Sequence, residues 1–500
     1  MLFFIVLRYR PGPTLGSTLR DPSLLSARTL IGGAWETSGE LGTLEVVDPA
    51  TGEALACVPN NGAVDAARAV AAAKAAFSPW AALPAKQRGA ILRRWHDLIV
   101  ENGDDLARIM TAEQGKPLAE ARGEVAYGAS FVEWFAEEGR RVTGDVLQSP
   151  VGGRRIVSLK QPVGVVGAIT PWNFPIAMIT RKCAPALAVG CTVVIKPSEE
   201  TPLCCLALME LAERAGVPPG VLNCVMGDAP AIGGVLCASK DVRKLTFTGS
   251  TAVGKLLMRQ CADTVKKVSL ELGGNAPLLV FEDADLDAAV AGCMSIKFKN
   301  AGQVCVSVNR VFVHASLYDE FCRRLTEATA GIKVGAGDAD GTQMGPLINA
   351  KAPDRAVEHI ADAVANGAEV LTGGARYADR PATFFEPTVL KGVTPAMRIY
   401  REETFGPVAG VVRFETEEEA VAMANDTEYG LAAYLYTKDM SRSWRVAEAL
   451  EYGIVGVNET ACSNEIAPFG GVKESGLGRE GGLVGVDDFL EIKGVTFGGI

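Results

Sequence analysis

The period of the hydrophobic positions changes near residue 140. Before that point apolar residues recur at helical spacing: residues 62–77 (GAVDAARAVAAAKAAF) read as an Ala-rich helix behind the Asn60–Asn61 turn, and 84–101, 104–114 and 118–139 continue the pattern. This first stretch reads as mostly helical. Beyond it residues 155–160 (RIVSLK) alternate and are rich in β-branched side chains, and 163–169 (VGVVGAI) read as a fully buried strand. A helix from Pro175 to about Ala188 follows, then strand 192–196, helix 202–215, strand 221–226, helix 229–238, strand 243–248 and helix 251–261. Strand alternating with helix at short spacing predicts a parallel sheet covered on both faces. A second α/β unit takes strand 276–281, helix 285–299 (N-cap Asp283 or Asp285), strand 310–314, helices 317–330 and 350–366, strand 431–436, helix 441–450 and strand 453–457. The run 488–497 (DFLEIKGVTF) stands apart from both units and must pair with something, a partner subunit being one choice.

Composition narrows the function class. The chain has 500 residues, 48% hydrophobic and 22% charged, which is an ordinary globular balance. A net charge of −10 and the lack of a basic stripe argue against a nucleic-acid partner. Twelve cysteines without a CxxC pair speak against a zinc ribbon or a thioredoxin-type site, and they fit reduced cytoplasmic thiols. The vicinal Cys204 and Cys205 read as core. His96, His314 and His359 are the only histidines, none beside a Gly-x-Ser-x-Gly or HExxH pattern, so no metal site is expected. The apolar Met1–Leu7 is too short to span a bilayer, and no other membrane segment is found. Residues 1–28 carry four Arg and one acid and read as a tail, with organelle targeting left open.

Seven segments carry candidate chemistry, each with a plain alternative. Thr170-Pro171-Trp172-Asn173-Phe174-Pro175 follows a buried strand; Asn173 is either a turn residue or an amide donor to an oxyanion. Ile195-Lys196-Pro197-Ser198-Glu199 is a solvated loop or a ribose site, and a Glu there opposes a 2′-phosphate, which favours NAD over NADP. In Phe247-Thr248-Gly249-Ser250, strand into helix, Gly249 lets backbone approach a pyrophosphate at a helix N-terminus. The formal G-x-G-x-x-G at Gly476, Gly478 and Gly481 follows no predicted strand and is discounted. Leu270-Glu271-Leu272-Gly273-Gly274 sets a Glu among apolar residues, a capping or paired acid or a general base with a raised pKa. Cys305, in Asn300-Ala301-Gly302-Gln303-Val304-Cys305, is a core thiol or a nucleophile. Glu403 and Phe405, in Glu402-Glu403-Thr404-Phe405-Gly406-Pro407, are a loop acid and a core ring, or a second ribose contact and a ring flank. The Gly-dense loop 468–481 is long enough to be functional.

In this order and spacing, from about Thr29 to the end, the segments resemble the aldehyde dehydrogenase superfamily. The resemblance implies an α/β fold with a Rossmann-type NAD(P)-binding domain (29–140 and 161–270), a catalytic domain (271–460) and a small β oligomerisation element (141–160 and 484–500), in a homodimer or homotetramer. It implies Cys305 as nucleophile, Glu271 as base and Asn173 as oxyanion donor. It assigns Trp172, Lys196, Ser198, Glu199, Gly249, Ser250, Gly273, Glu403 and Phe405 to the cofactor. A Cys305 thiohemiacetal then gives a thioester that Glu271 resolves with water, which requires electropositive help for the thiolate. Glu480 resembles a secondary glutamate of the family. Retention of Cys305, Glu271 and Asn173 together argues against a non-catalytic scaffold, and a Glu271 base argues for water rather than coenzyme A.

Within the superfamily, Met178–Lys182, Glu428–Tyr434, Ser463-Asn464-Glu465 and the Gly-Leu-Gly-Arg-Glu-Gly stretch look most like succinate-semialdehyde dehydrogenases, with glutarate or 2-oxoglutarate semialdehyde as the runner-up substrates. The resemblance implies that Arg181 and Ser463 hold the far carboxylate; Arg181 as a plain helix-surface residue is the alternative. Three departures stand out. Lys299 replaces an Arg that also contacts the carboxylate. Ser307 replaces a second Cys, removing a disulfide switch. Glu459 lies in the lid segment, where it opposes an anion if it faces the pocket.

Overall fold

The computed structural model describes residues 15–500. Two large sheets carry the site. The first has eight strands in the order Gly476–Leu477, Lys267–Glu271, Val242–Thr248, Val165–Ile169, Thr192–Lys196, Leu222–Cys224, Thr29–Ile31, Ala34–Glu36. Its five central strands are parallel. The chain enters at Val165–Ile169, builds outward on one side, then returns to lay Val242–Thr248 on the other. That reversal opens a crevice at the carboxyl ends of these two strands, where such sheets bind ligands. The second sheet runs Glu369–Thr372, Thr388–Lys391, Val408–Phe414, Val308–His314, Ala276–Val280, Ala432–Tyr436, Ile454–Val457, and is parallel except at Glu369–Thr372.

The helical pattern also yields its elements. Ala63–Ala82, Ala85–Glu101, Gly103–Gln114 and Leu118–Glu138 are helices. Trp80 and Trp95 are fully buried, with indole N–H groups on the Leu187 and Leu208 carbonyls, so neither polar tip is stranded in the core. Every residue of helix Ala177–Val189 is buried, Arg181 and Lys182 included. A cation taken out of water at that depth costs several kcal/mol unless it is paired, and both side chains therefore need carboxylate partners.

Several sequence expectations change. The first stretch is not only helical: residues 29–59 form four short strands, too brief and too mixed for a periodicity test. Strands Lys267–Glu271, Thr388–Lys391 and Val408–Phe414 were hidden, the first inside a motif and the last behind the Gly406-Pro407 break. The 285–299 helix stops at Lys297. The terminal run needs no partner subunit, since Leu490–Gly498 pairs along its length with Arg154–Pro162 of the same chain. Residues 15–28 are not a tail: Leu24 is fully buried, and the Asp105 carboxylate accepts the Arg20 and Asp21 N–H groups at 2.9 and 2.7 Å. The apolar Met1–Leu7 lies outside the described residues. Among those described, no helix is long and apolar enough to cross a membrane, and no group of His, Cys, Asp or Glu is arranged for a metal.

Candidate active site

Cys305 is delivered by a strained turn. Asn300, Ala301 and Gly302 have φ of 49°, 54° and 76°, the left-handed region that costs a non-Gly residue about 1 kcal/mol or more. A Cβ on Gly302 would sit 2.2 Å from the Gly406 carbonyl, and one on Gly274 would sit 2.3 Å from that of Cys305. Both glycines are thus required by close approach. Asn300 Nδ2 donates to the Asn173 and Gln303 carbonyls at 3.0 and 3.3 Å, Asn173 Nδ2 donates to Gln303 at 3.0 Å, and Glu120 accepts the Asn300 N–H at 2.8 Å. The turn that carries Asn173 and the turn that carries Cys305 are therefore tied to each other. One Asn173 amide hydrogen is used in this tie.

Glu271 ends strand Lys267–Glu271 and is buried. Its Oε2 meets Arg181 at 3.3 Å, while Oε1 is buried with no hydrogen-bond partner. Burial raises its pKa to about 7 against the pull of Arg181. This is the shift expected for the site's acid. The electropositive help expected for Cys305 is not met: burial and then Glu271 push the thiol up, with only Arg181 and its own backbone N–H opposing them.

The cofactor candidates lie along the sheet's carboxyl edge. Buried Lys196 ends strand Thr192–Lys196 and ion-pairs with Glu199, and Ser198 accepts the Glu200 N–H at 3.2 Å. Ser250 caps helix Thr251–Ala262, whose N-terminus follows Gly249 at the crevice. Glu403 accepts the Gly274 N–H at 3.0 Å, and burial pushes its pKa to about 7. A Cβ on Gly273 would sit 2.7 Å from that carboxylate. Trp172 and Phe405 meet edge to face at 5.6 Å, Phe405 with a φ of 54°. A buried ammonium, two carboxylates and a helix N-terminus along one crevice fit a dinucleotide, with hydroxyls for the acids and phosphates for the helix.

Cys305 opens onto a cavity of about 610 Å³. Arg181, Lys299 and Ser463 line it, as does Tyr127, which the sequence reading did not single out. Arg181 is no helix-surface residue: it is 1% exposed, with Nε and Nη2 on Glu480 at 2.9 and 2.7 Å. Lys182 also bonds Glu480, and the two cations hold that carboxyl at about 2 despite its burial. Lys299 Nζ has no ion-pair partner among the described residues and lies 5.8 Å from the Phe174 ring. Tyr127 and Ser463 hydroxyls bond each other across the cavity. Glu459 does not oppose an anion here; it is exposed and folds back onto the Thr460 and Ala461 N–H groups at 2.7 and 2.8 Å. On the same wall, Lys116 pairs with Glu124 and donates to the Asn173 carbonyl at 2.8 Å, while Glu124 accepts the Ile176 N–H at 2.9 Å. Lys116, Glu124 and Tyr127 carried no motif. Glu124 and Tyr127 lie inside the predicted 118–139 helix and Lys116 in the turn before it, with no sequence signal that sets them apart.

Known proteins resemble this chain in sequence and fold. The family model described as "Aldehyde dehydrogenase family" matches residues 35–495. A mitochondrial succinate-semialdehyde dehydrogenase of Arabidopsis thaliana is 56% identical over 97% of this chain and 92% of its own length. A glutarate-semialdehyde dehydrogenase of Pseudomonas putida is 54% identical over 95% of this chain and 98% of its own. The crystal structure of a succinate-semialdehyde dehydrogenase from Burkholderia pseudomallei superposes with a TM-score of 0.95 at 59% identity, over 96% of this chain and all of that one. With the strained Cys305 turn, the buried Glu271 and the crevice at the sheet's carboxyl edge already in place, these matches show that the chain belongs to the aldehyde dehydrogenase family.

Proposed function

We propose that the enzyme oxidises succinate semialdehyde to succinate through a thioester on Cys305, using NAD in preference to NADP. The observation that carries the substrate reading is the cavity beside Cys305, lined by the unpaired Lys299 ammonium, by Arg181 and by the Tyr127 and Ser463 hydroxyls. An aldehyde with an anionic far end gains the attraction of the exposed Lys299 ammonium and the hydroxyl donors, whereas an uncharged one gains neither. Glutarate semialdehyde is the second reading, favoured by the Pseudomonas relative and by a volume that accommodates one more methylene.

Cys305 gives up its thiol proton to water in the open cavity, and its Sγ adds to the aldehyde carbon. The second Asn173 amide hydrogen and the Cys305 backbone N–H donate to the alkoxide oxygen. A nicotinamide dinucleotide, when bound, supplies the two-electron acceptor that converts this adduct to the thioester. Glu271 Oε1, free of partners, takes a proton from the water that attacks the thioester carbonyl, and Cys305 leaves as the acid forms. Lys196, Ser198, Glu199, Gly249, Ser250, Gly273, Glu403, Trp172 and Phe405 hold the dinucleotide.

NADH formation tests the substrate. Succinate semialdehyde should exceed glutarate and 2-oxoglutarate semialdehydes, and butanal by on the order of a hundredfold in kcat/KM. Equal or better use of butanal removes the carboxylate pocket and leaves the dehydrogenase. For the cofactor, Glu199→Ser should raise the NADP to NAD ratio of kcat/KM roughly tenfold by lifting repulsion of the 2′-phosphate. An unchanged ratio discards Glu199 as the ribose contact.

Asp145–Gln148 and Leu490–Gly498 are the two edges of the three-stranded sheet, and Val146 on the first and Ile492 and Phe497 on the second are exposed. We assign this three-stranded sheet to a homodimer or homotetramer contact. The twelve unbridged cysteines support a cytoplasmic location.

A further inference from the structure

We infer that His359 is a positioning residue for the cofactor: its imidazole holds the side chains on either side of Glu403 and so aims that carboxylate at the second ribose of the dinucleotide. The inference rests on the reading of Glu403 as a ribose contact and deepens it.

His359 is fully buried on helix Ala352–Ala365. Its Nε2 lies 3.2 Å from the Glu402 carboxylate and its Nδ1 3.1 Å from the Thr404 hydroxyl. Arg398 donates to both Glu402 oxygens at 3.0 Å and is the main cause that holds this acid at about 2, so the carboxylate only accepts. The His359 proton therefore sits on Nε2. Burial lowers the pKa of the ring and favours its neutral form, which leaves Nδ1 to accept the Thr404 O–H.

The bridge has a directional consequence. Glu402 is extended, with φ −107° and ψ 144°, and along extended backbone successive side chains point to opposite sides. With Glu402 and Thr404 both drawn to His359, Glu403 projects the other way, where its carboxylate accepts the Gly274 N–H at 3.0 Å and a Cβ on Gly273 would sit 2.7 Å from it. Among the described residues no side chain bonds that carboxylate, so its aim depends on its neighbours. The backbone is held as well. Asn309 Nδ2 donates to the Glu402 carbonyl at 2.9 Å, and Arg355 Nη1 to the Glu403 carbonyl at 3.0 Å. Arg355 and His359 stand at i and i+4 on one face of their helix, which thus supports the loop at two points. Phe405, next in the chain, keeps its φ of 54°, a strain that persists only where the surroundings over-determine it.

The test measures NAD and AMP binding by calorimetry, since AMP carries the adenine ribose but not the second one. In Glu403→Gln, NAD should bind roughly tenfold more weakly or worse; unchanged NAD affinity overturns the ribose reading itself. Given that loss, His359→Leu should weaken NAD binding by on the order of tenfold, as loss of its hydrogen bonds predicts, and leave AMP within about twofold of the parent. Added to Glu403→Gln, His359→Leu should cost less than about twofold more, because it acts through that carboxylate. Thr404→Val keeps the shape of the side chain and removes its hydroxyl. It should act in the same direction in the same pairings, and it carries the test if His359→Leu fails to fold. Unchanged NAD affinity in these variants, equal weakening of NAD and AMP, or additive losses with Glu403→Gln overturns the positioning role while leaving the ribose reading intact.

Discussion

Cys305→Ala should lower NADH production by roughly a thousandfold or more while NAD still binds, the scale seen when a covalent nucleophile is removed. The strained turn Asn300-Ala301-Gly302 places this residue at the cavity wall and ties it to the Asn173 turn. Cys462, the other thiol lining the cavity, is bonded back to the Glu459 carbonyl and lies outside the Asn173 turn. The substitution removes one half-buried sulfur, so the expected stability loss is small, about 1 kcal/mol, and a thermal melt within a few degrees of the parent should accompany the lost activity. NAD binding by fluorescence titration separates a lost nucleophile from a lost fold. Residual turnover above a few per cent would remove Cys305 from the reaction. The resting thiol adds a further expectation. Because burial and Glu271 both oppose its ionisation, alkylation by iodoacetamide should be slow near pH 7 and accelerate steeply with rising pH.

Legibility of the sequence followed physical lines. Four of the five parallel strands of the first sheet and their covering helices were readable, as at 192–196 and 243–248, while Lys267–Glu271 was masked by the motif it ends in. Short strands such as Thr29–Ile31 and Ala34–Glu36 were not, because three residues carry no period. Cys305, Glu271 and Asn173 were ambiguous one by one and were marked by the order and spacing of the segments that resemble the aldehyde dehydrogenases. Tyr127, Lys116 and Glu124 were not marked. Their burial depends on helix Leu118–Glu138 packing against helix Ala177–Val189, a contact between segments about fifty residues apart. Arg181 was marked for the right cavity, but its partner Glu480 lies 299 positions away, and only the folded chain shows that the guanidinium is already paired.

Glu271→Gln should separate the two halves of the reaction. The amide keeps the size of the side chain and can still accept from Arg181, but it cannot take a proton from water. The variant should therefore release about one NADH per site in a burst and then turn over on the order of a hundredfold to ten-thousandfold more slowly. Intact-protein mass spectrometry of the stalled enzyme should show the acyl group on Cys305. The thiol itself should not suffer, since removing the Glu271 charge takes away one of the three influences, burial, Glu271 and Glu403, that hold it protonated. The pH profile gives an independent check. Glu271 is an acid whose pKa burial raises from 4.5 to about 7, so the base form is scarce below that pH and fills above it. Parent kcat, where deacylation limits, should rise with pH through about 7 and level off, and this step should vanish in Glu271→Gln. Glu403 has its pKa raised to about 7 as well, but it sits at the cofactor crevice, so its titration should move KM for NAD rather than the deacylation rate. Steady-state rates unchanged in Glu271→Gln, with no acyl-enzyme captured, would assign the water-activating role to another group, and Glu480, held at about 2 by Lys182 and Arg181, is too weak a base to inherit it.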